Sequence, residues 1–78
     1  MNADELKEKV RAIVAEVAEI DEVPDTVPFK DLGIDSMMAI EIVAEVERTY
    51  GLKVPEDELE KITDLNSVVA LVQSKLRA

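Results

Sequence analysis

Apolar residues occur at three- and four-residue intervals in three separate stretches of the chain, and this spacing restricts the possible folds most. Residues 36–50 and 65–76 have this helical period, and no segment alternates with the period of two that marks a strand. The first stretch, residues 3–20, places these apolar side chains on one side of a predicted helix: Leu6, Val10, Ile13, Val14, Val17 and Ile20. The pattern predicts an all-α fold.

Residues typical of helix ends flank these stretches. Asn2 is placed to cap the first helix, and Gly51 supplies a stop after the second. A short helix is predicted within residues 53–62, begun by Pro55. The last helix has three candidate caps, Thr63, Asp64 and Asn66. We therefore expect a small four-helix bundle with three longer helices and one short helix.

Residues 21–35, between the first two helices, hold Pro24, Pro28 and Gly33, so no regular helix can run through them. Connections between helices usually take about 2 to 8 residues, so one of this length is either functional or disordered. Its apolar residues can anchor it to the helices: Val23, Val27, Phe29, Leu32 and Ile34. We therefore expect a long ordered loop that positions the residues after it.

Composition narrows the possible functions. The chain has 78 residues, enough for one domain over 1–78, and its formal charge of −9 disfavours nucleic acid and favours partners with basic surfaces. Cysteine and histidine are absent, which excludes a cysteine nucleophile, a thiolate metal site and the commonest general base. No apolar stretch approaches the roughly 20 residues that span a bilayer. We expect a monomeric, cytoplasmic protein without membrane insertion.

Ser36 stands at the predicted N-terminus of the second helix, where a serine is most often a simple cap, and the same interpretation applies to Asp35. Residues 31–37, DLGIDSM, resemble the attachment motif of acyl carrier proteins, written D-x-G-x-D-S-[LM]. The resemblance continues in residues 54–56, VPE, and 60–63, EKIT. It covers most of the chain, although the first helix matches by pattern and not by individual residues.

The resemblance to the acyl carrier protein family implies that 4′-phosphopantetheine is attached covalently to Ser36 and carries acyl intermediates as thioesters in fatty-acid or polyketide biosynthesis. It also implies a protein that is not itself an enzyme and has no catalytic residue. Its partners would be a phosphopantetheinyl transferase and the acyl-transferring and chain-elongating synthase enzymes. In the family, the aspartate before the serine helps to engage these partners, so Asp35 takes that role here. The anion-favouring N-terminus of a helix suits a phosphodiester.

The second helix offers a candidate docking surface for these enzymes. On a helical wheel, Met37, Ile40 and Ala44 lie away from the buried side, and an exposed apolar stripe edged by acids is suited to docking. The charged residues expected to take part are Glu41, Glu45, Glu47 and Arg48. The other interpretation is an ordinary solvated face on which Arg48 neutralises Glu45.

Some functions other than an acyl carrier are disfavoured by the sequence, and others stay open. A serine hydrolase would need a base beside Ser36, and only carboxylates, lysines and the N-terminus are available. A calcium-binding EF-hand loop beginning at Asp31 fails, because its sixth and twelfth positions would be Ser36 and Ile42. A peptidyl or D-alanyl carrier and a non-carrier acidic adaptor stay open. So does the choice between a stand-alone chain and a domain of a larger synthase.

The pathway is open as well. Many primary fatty-acid carriers have leucine followed by an acid after the serine, whereas this chain has Met37 and Met38. It is also less extremely acidic than those carriers. Polyketide and specialised fatty-acid pathways are therefore supported nearly as well as primary fatty-acid synthesis.

Overall fold

The computed structural model describes residues 2–77, and all regular structure in this part of the chain is helical. Four α-helices and one short 3-10 helix follow one another, and no strand occurs between residues 2 and 77. The helices are α1 (Ala3–Ala18), the 3-10 helix (Phe29–Leu32), α2 (Ser36–Tyr50), α3 (Glu56–Leu59) and α4 (Leu65–Arg77). The predicted all-α architecture, with three longer helices and one short helix, is confirmed.

The first helix begins as predicted but ends early. The Asn2 side chain accepts a hydrogen bond of 2.8 Å from the Glu5 backbone N–H, so the expected cap is present. The predicted end at residue 20 is wrong. Glu19 adopts a left-handed conformation with a φ of 56°, and the Ile20 N–H donates to the Ala15 carbonyl at 3.1 Å. The apolar spacing continues through Ile20 and therefore gives no sign of this turn.

The two C-terminal helices are also bounded by local hydrogen bonds. The predicted short helix shrinks to the single turn of α3, with Pro55 before it. Of the three candidate caps for α4, Asp64 is the one used, since its Oδ1 accepts from the Ser67 N–H at 2.9 Å. Ser67 Oγ accepts in return from the Asp64 N–H at 3.0 Å, which gives a reciprocal capping arrangement.

The core is aliphatic except for Phe29, and α1 packs against both α2 and α4. Fully buried side chains from these three helices form its centre: Val10, Val14, Ile42, Val46, Leu65, Val68 and Val72. Three residues of the predicted α1 stripe, Ile13, Val17 and Ile20, are only half-buried at its margin. Since β-branched and aliphatic residues fill the interior, contacts between helices and not aromatic stacking hold the bundle together.

The long loop, residues 19–35, is ordered and closely attached to the bundle. Val23, Phe29 and Ile34 are buried in the core. The Phe29 N–H donates to the Thr63 carbonyl at 2.8 Å, which joins the loop to the start of α4. The loop is therefore part of the packed structure, as its apolar content predicted.

An ion cluster fastens the middle of the long loop to α1. The Asp25 carboxylate lies 2.9 Å from Lys7 Nζ and 2.5 Å from Arg11 Nη2. Hydrogen bonds from Lys7 and then Arg11 hold the pKa of Asp25 below its ordinary value. The Asp25 carbonyl also accepts from the Asn66 N–H at 3.2 Å, so this residue links the loop to both α1 and α4.

Candidate functional site

The site begins where the long loop turns into α2. Gly33 has a φ of 80°, a left-handed conformation that residues with a Cβ rarely adopt, and its N–H donates to the Lys30 carbonyl at 3.2 Å. The Ile34 N–H donates to the Phe29 carbonyl at 3.0 Å, while the Ile34 side chain enters the core. These bonds close the 3-10 helix and direct the chain into the first turn of α2.

Asp35, and not Ser36, caps α2. Its Oδ1 accepts from the Met38 N–H at 2.9 Å, and its backbone is extended, as expected of a cap. Ser36 is the first residue of the helix itself. The interpretation of Ser36 as a simple cap is therefore wrong, and the same interpretation of Asp35 is confirmed. Capping by Asp35 leaves the serine hydroxyl free of that structural task.

Ser36 is exposed, and its hydroxyl makes no hydrogen bond within the part of the chain that the structure describes. The backbone N–H groups of Ser36 and Met37 likewise have no partner within residues 2–77. They lie at the positive end of the α2 dipole, where an anion is stabilised. A phosphate ester on Ser36 would fit this position without displacing any existing contact.

Two pockets border Ser36 and share Ala39 and Ile62 as lining residues. The first, of about 420 Å³, is named the loop pocket because Pro28, Phe29 and Lys30 line it. The second, of about 330 Å³, is named the α3 pocket because Leu59 and Glu60 line it. Both pockets are floored mainly by apolar side chains, so an extended organic group attached to Ser36 has a surface to lie on.

The exposed face of α2 contains several of the predicted docking residues. Met37 is 73% exposed and Ile40 is 56% exposed, values that are unusual for large apolar side chains. Glu41 is exposed beside them, and Ala44, one turn further along, is half-buried. The helical spacing brings these four residues onto one side of α2.

The other charged residues of α2 have partners within the protein. Arg48 Nη2 donates to Glu45 Oε2 in a short contact, so these two side chains form a pair on the surface. Glu47 Oε2 accepts from the Val54 N–H at 2.8 Å and so holds the chain that leads to α3. The pairing of Glu45 with Arg48 agrees with the solvated-face interpretation for these two residues.

Two polar residues of the loop pocket were not predicted from the sequence to be site residues. Lys30 and Thr63 both line the loop pocket, and neither belongs to the serine motif. Lys30 immediately precedes that motif, which is a weak signal. Thr63 reaches the site only because the start of α4 is bonded to Phe29, a contact that no local pattern encodes.

Residues 8–72 match the family model described as a phosphopantetheine attachment site. The chain belongs to the acyl carrier protein family. It is 46% identical over 79 aligned residues to the anthracycline acyl carrier protein DauA of Streptomyces sp. strain C5, covering 95% of this chain and 89% of the relative. It is 33% identical to an acyl carrier protein of Thermosynechococcus vestitus, with both chains covered fully.

A solved structure has the same fold. The crystal structure of an acyl carrier protein from Thermotoga maritima superimposes with a TM-score of 0.84 and 28% sequence identity, covering 99% of this chain and 93% of that one. Together these likenesses favour the acyl carrier over an aminoacyl carrier or a plain acidic adaptor. The protein carries acyl intermediates through phosphopantetheine, works with synthases and is not an enzyme.

None of the helices described between residues 2 and 77 is long and apolar enough to cross a membrane. Over the same range, no three acidic, histidine or cysteine side chains are grouped to hold a metal ion.

Proposed function

We propose that Ser36 Oγ is the atom to which the phosphopantetheine arm is attached, by a phosphopantetheinyl transferase that uses coenzyme A. The observation that carries this proposal is the exposed hydroxyl at the first residue of α2, which, like the two backbone N–H groups beside it, has no hydrogen-bond partner among residues 2–77. In the transfer, Ser36 Oγ forms a bond to the phosphorus that carries pantetheine, the bond from that phosphorus to the bridging oxygen of coenzyme A breaks, adenosine 3′,5′-bisphosphate leaves, and the hydroxyl proton passes to a base of the transferase.

The chain has two other serines, and neither has these properties. Ser67 Oγ accepts from the N–H groups of Thr63 and Asp64 and donates to the Asp64 carbonyl, so it is occupied in the α4 cap. Ser74 is exposed but lies inside α4, where the backbone N–H groups are bonded within the helix. Ser36 alone among them combines exposure with a helix N-terminus.

When attached, the arm supplies the thiol that holds acyl groups as thioesters, in a chain that has no cysteine of its own. The protein's own residues present and orient the arm. Asp35 keeps the first turn of α2 closed through its bond to the Met38 N–H. The free N–H groups of Ser36 and Met37 face the position of the phosphate and stabilise its negative charge.

Mass spectrometry tests the attachment site. The protein is incubated with a promiscuous phosphopantetheinyl transferase and coenzyme A, and its intact mass is measured. The wild-type chain should gain the mass of phosphopantetheine, Ser36→Ala should gain nothing, and Ser74→Ala should be modified completely. Absence of the gain in wild type, or a full gain in Ser36→Ala, would refute the proposal.

The exposed face of α2 is the proposed docking surface for the transferase and the synthase enzymes. Met37, Ile40 and Ala44 supply apolar contact, and Glu41 attracts a basic partner surface. Asp35 contributes at the helix N-terminus, next to the serine that these enzymes must reach. The net charge of −9 adds a long-range attraction to basic surfaces, which raises the rate of encounter.

The roles proposed for Glu45, Glu47 and Arg48 in partner recognition are secondary. Glu45 and Arg48 would have to exchange their mutual contact for contacts with the partner. Glu47 would have to release the Val54 N–H. We therefore propose that the apolar stripe of Met37, Ile40 and Ala44 contributes most of the binding free energy.

A charge placed in the stripe tests the docking surface. Ile40→Glu should lower the transferase kcat/KM by about tenfold or more, since it places an unpaired charge in the centre of an apolar contact. Leu76→Glu is the matched control, because Leu76 is also a large exposed apolar residue, 49% exposed, but lies on α4. Equal effects of the two substitutions would count against a surface on α2.

The pathway proposed for this carrier is polyketide biosynthesis. The supporting observation is its likeness to the anthracycline carrier of Streptomyces, at 46% identity, against 33% for the acyl carrier protein of Thermosynechococcus vestitus. The loaded carrier should be elongated by a polyketide ketosynthase at least as fast as by a fatty-acid ketosynthase, with product formation followed by mass spectrometry. Elongation by the fatty-acid enzyme alone would overturn this assignment.

Residues 1–78 are proposed to act as one carrier domain, as a monomer in the cytoplasm, where coenzyme A and the synthases are available. The single aliphatic core seen in residues 2–77 supports one domain. Monomer formation is supported by the small number of large apolar side chains exposed in the described residues: Met37, Ile40 and Leu76. Light scattering at micromolar concentration should give the mass of one chain.

A further inference from the structure

The two pockets beside Ser36 differ in charge. Lys30 is the only cation among the residues that line the loop pocket. Glu60 is the only charged residue among those that line the α3 pocket. The Asp35 carboxylate also lines the loop pocket, and the bond from the Met38 N–H to its Oδ1 leaves its negative charge in place. An anionic group on Ser36 would therefore have the Asp35 carboxylate next to it, an ammonium group only in the loop pocket, and a further carboxylate, Glu60, in the α3 pocket.

A nearby cation would stabilise a phosphodiester on Ser36. It would carry a negative charge on the residue next to the Asp35 carboxylate, and like charges so close repel each other. The carboxylate cannot turn away without giving up the cap of α2. The free N–H groups offset part of this repulsion, and an ammonium group from the loop pocket would offset more.

We propose that Lys30 Nζ pairs with the phosphodiester on Ser36 and thereby directs the arm across the loop pocket and away from the α3 pocket. This inference rests on the proposed attachment at Ser36. It assigns Lys30 a positioning role in the carrier, because the residue acts on the arm and not on the acyl group.

The backbone of Lys30 is held firmly while its side chain is free. Its neighbour Phe29 is buried and bonded to the Thr63 carbonyl, and its own carbonyl accepts from Gly33. The Lys30 side chain itself is exposed and has no ion pair within residues 2–77. A flexible ammonium on a fixed base can follow the phosphate without disturbing the fold.

The loop pocket also suits the rest of the arm. Pantetheine carries two methyl groups on one carbon, followed by two amides, so it needs an apolar floor with polar groups at the edge. Pro28, Phe29 and Ile34 provide the floor, and Thr63 provides a hydroxyl. The α3 pocket is similarly apolar, through Val43 and Leu59, so charge and not hydrophobicity distinguishes the two.

NMR of isotope-labelled protein loaded with the unacylated arm tests this inference. Intact mass and peptide mapping first establish complete loading on Ser36 in every sample. The methyl protons of the arm should show nuclear Overhauser effects to Thr63 and Pro28, and none of similar strength to Leu59 and Val43. Effects directed mainly to Leu59 and Val43 would overturn the proposal.

Charge variants provide the control. Lys30→Gln should reduce the contacts with Thr63 and Pro28 by about twofold to fivefold, the range expected for an exposed ion pair, and Lys30→Glu should reduce them further. Lys53→Gln removes the same charge from an exposed residue that lines neither pocket, and should leave them unchanged. Equal changes in the Lys30 and Lys53 variants, or none in either, would refute a specific pairing.

Salt gives an independent readout. The contacts of the wild-type arm should weaken between low salt and about 1 M, because the Debye length falls to roughly 3 Å. Loading that fails or occurs elsewhere contradicts the proposed attachment site. Normal loading with salt-independent contacts contradicts the role of Lys30 only, so the two proposals fail in distinguishable ways.

Discussion

The long loop before α2 and the segment before α4, residues 51–62, are both connections broken by proline, but they are held very differently. The long loop buries Val23, Phe29 and Ile34. The α3 segment contains no buried residue at all. It is tied down by two carboxylates, Glu47 to the Val54 N–H and Glu58 to Lys75 Nζ at 3.0 Å.

This difference separates the two sides of Ser36. On one side, the loop forms a packed base for the Gly33 turn and for the cap of α2. On the other side, α3 rests on polar contacts and partly buried apolar groups, which open at lower free energy than a packed core. We therefore expect the long loop on one side of Ser36 to be more rigid than the α3 segment, residues 51–62, on the other. The predictions below test the stability of each segment.

The largest effect is expected at the anchor of the long loop. Phe29→Ala removes a buried ring and should lower the free energy of unfolding by about 3 to 5 kcal/mol, measured by urea denaturation followed by circular dichroism. Leu59→Ala in α3, where the side chain is only half-buried, should cost clearly less. If Leu59→Ala lowers the free energy of unfolding as much as Phe29→Ala does, the long loop is not held more firmly than the α3 segment.

The second-largest loss of stability is expected from removing the cap of α2. Asp35→Ala leaves the Met38 N–H without its partner and should cost about 1 kcal/mol, within the range of roughly 0.5 to 2 known for helix caps. Asp35→Asn keeps an oxygen acceptor and should retain most of the stability. If both variants are equally unstable in thermal unfolding, the carboxylate stabilises the junction through its charge and not as a cap.

A still smaller effect is expected from breaking the hydrogen bond between Glu47 and the Val54 N–H, which holds the chain before α3. Glu47→Ala removes the acceptor for the Val54 N–H and should speed hydrogen exchange in residues 52–59 by about fivefold, which corresponds to a hydrogen bond of roughly 1 kcal/mol. Glu45→Ala is the control, since Glu45 contacts the exposed Arg48 and not α3. Exchange that does not change in Glu47→Ala would show that α3 is held by its apolar contacts.

The smallest effect at neutral pH concerns the ion cluster of the long loop. Because bonds from Lys7 and Arg11 lower the pKa of Asp25 in the folded state, this carboxylate stabilises the protein at pH values above its unfolded pKa. That stabilisation is lost as the pH falls through the lowered, folded-state pKa. Asp25→Asn should therefore have a lower free energy of unfolding than wild type at neutral pH. This gap in stability between the two proteins should disappear in acid.

Urea denaturation as a function of pH measures this gap. Asp21→Asn is the control, since Asp21 is an exposed acid of the same loop with no ion pair in the described residues. A gap that is independent of pH, or one shared by Asp21→Asn, would show that the ion cluster is not what holds the middle of the loop.

Much of the fold could be predicted because its signals are local. The second helix begins at Ser36 and ends at Tyr50 as predicted, since the side chain of Asp35 caps its start and the left-handed backbone of Gly51 ends it. The end of α1 was missed because Glu19 takes a left-handed conformation without the glycine that usually announces one. The 3-10 helix was missed because four residues are too few for a period.

The candidate site was predictable in part for the same reason. The motif around Ser36 is contiguous, so a sequence can show it, and Met37 and Ile40 are exposed on the side that the helical period indicated. The contact of Glu47 with Val54 was not foreseen, because a glutamate on a helix surface looks the same in sequence whether it faces solvent or a neighbouring loop.

The sequence by itself determined that this chain is helical, that its long loop is ordered and that Ser36 heads a helix in an acyl carrier motif, because each follows from neighbouring residues. Only the tertiary structure decided what surrounds that serine. Lys30 lines the loop pocket beside it, and Glu60 lines the α3 pocket. Lys30 and Asp35 are near Ser36 in the sequence, whereas Thr63 and Glu60 are distant in the sequence and come beside it only through packing, because no local pattern encodes contacts such as the bond from the Phe29 N–H to the Thr63 carbonyl.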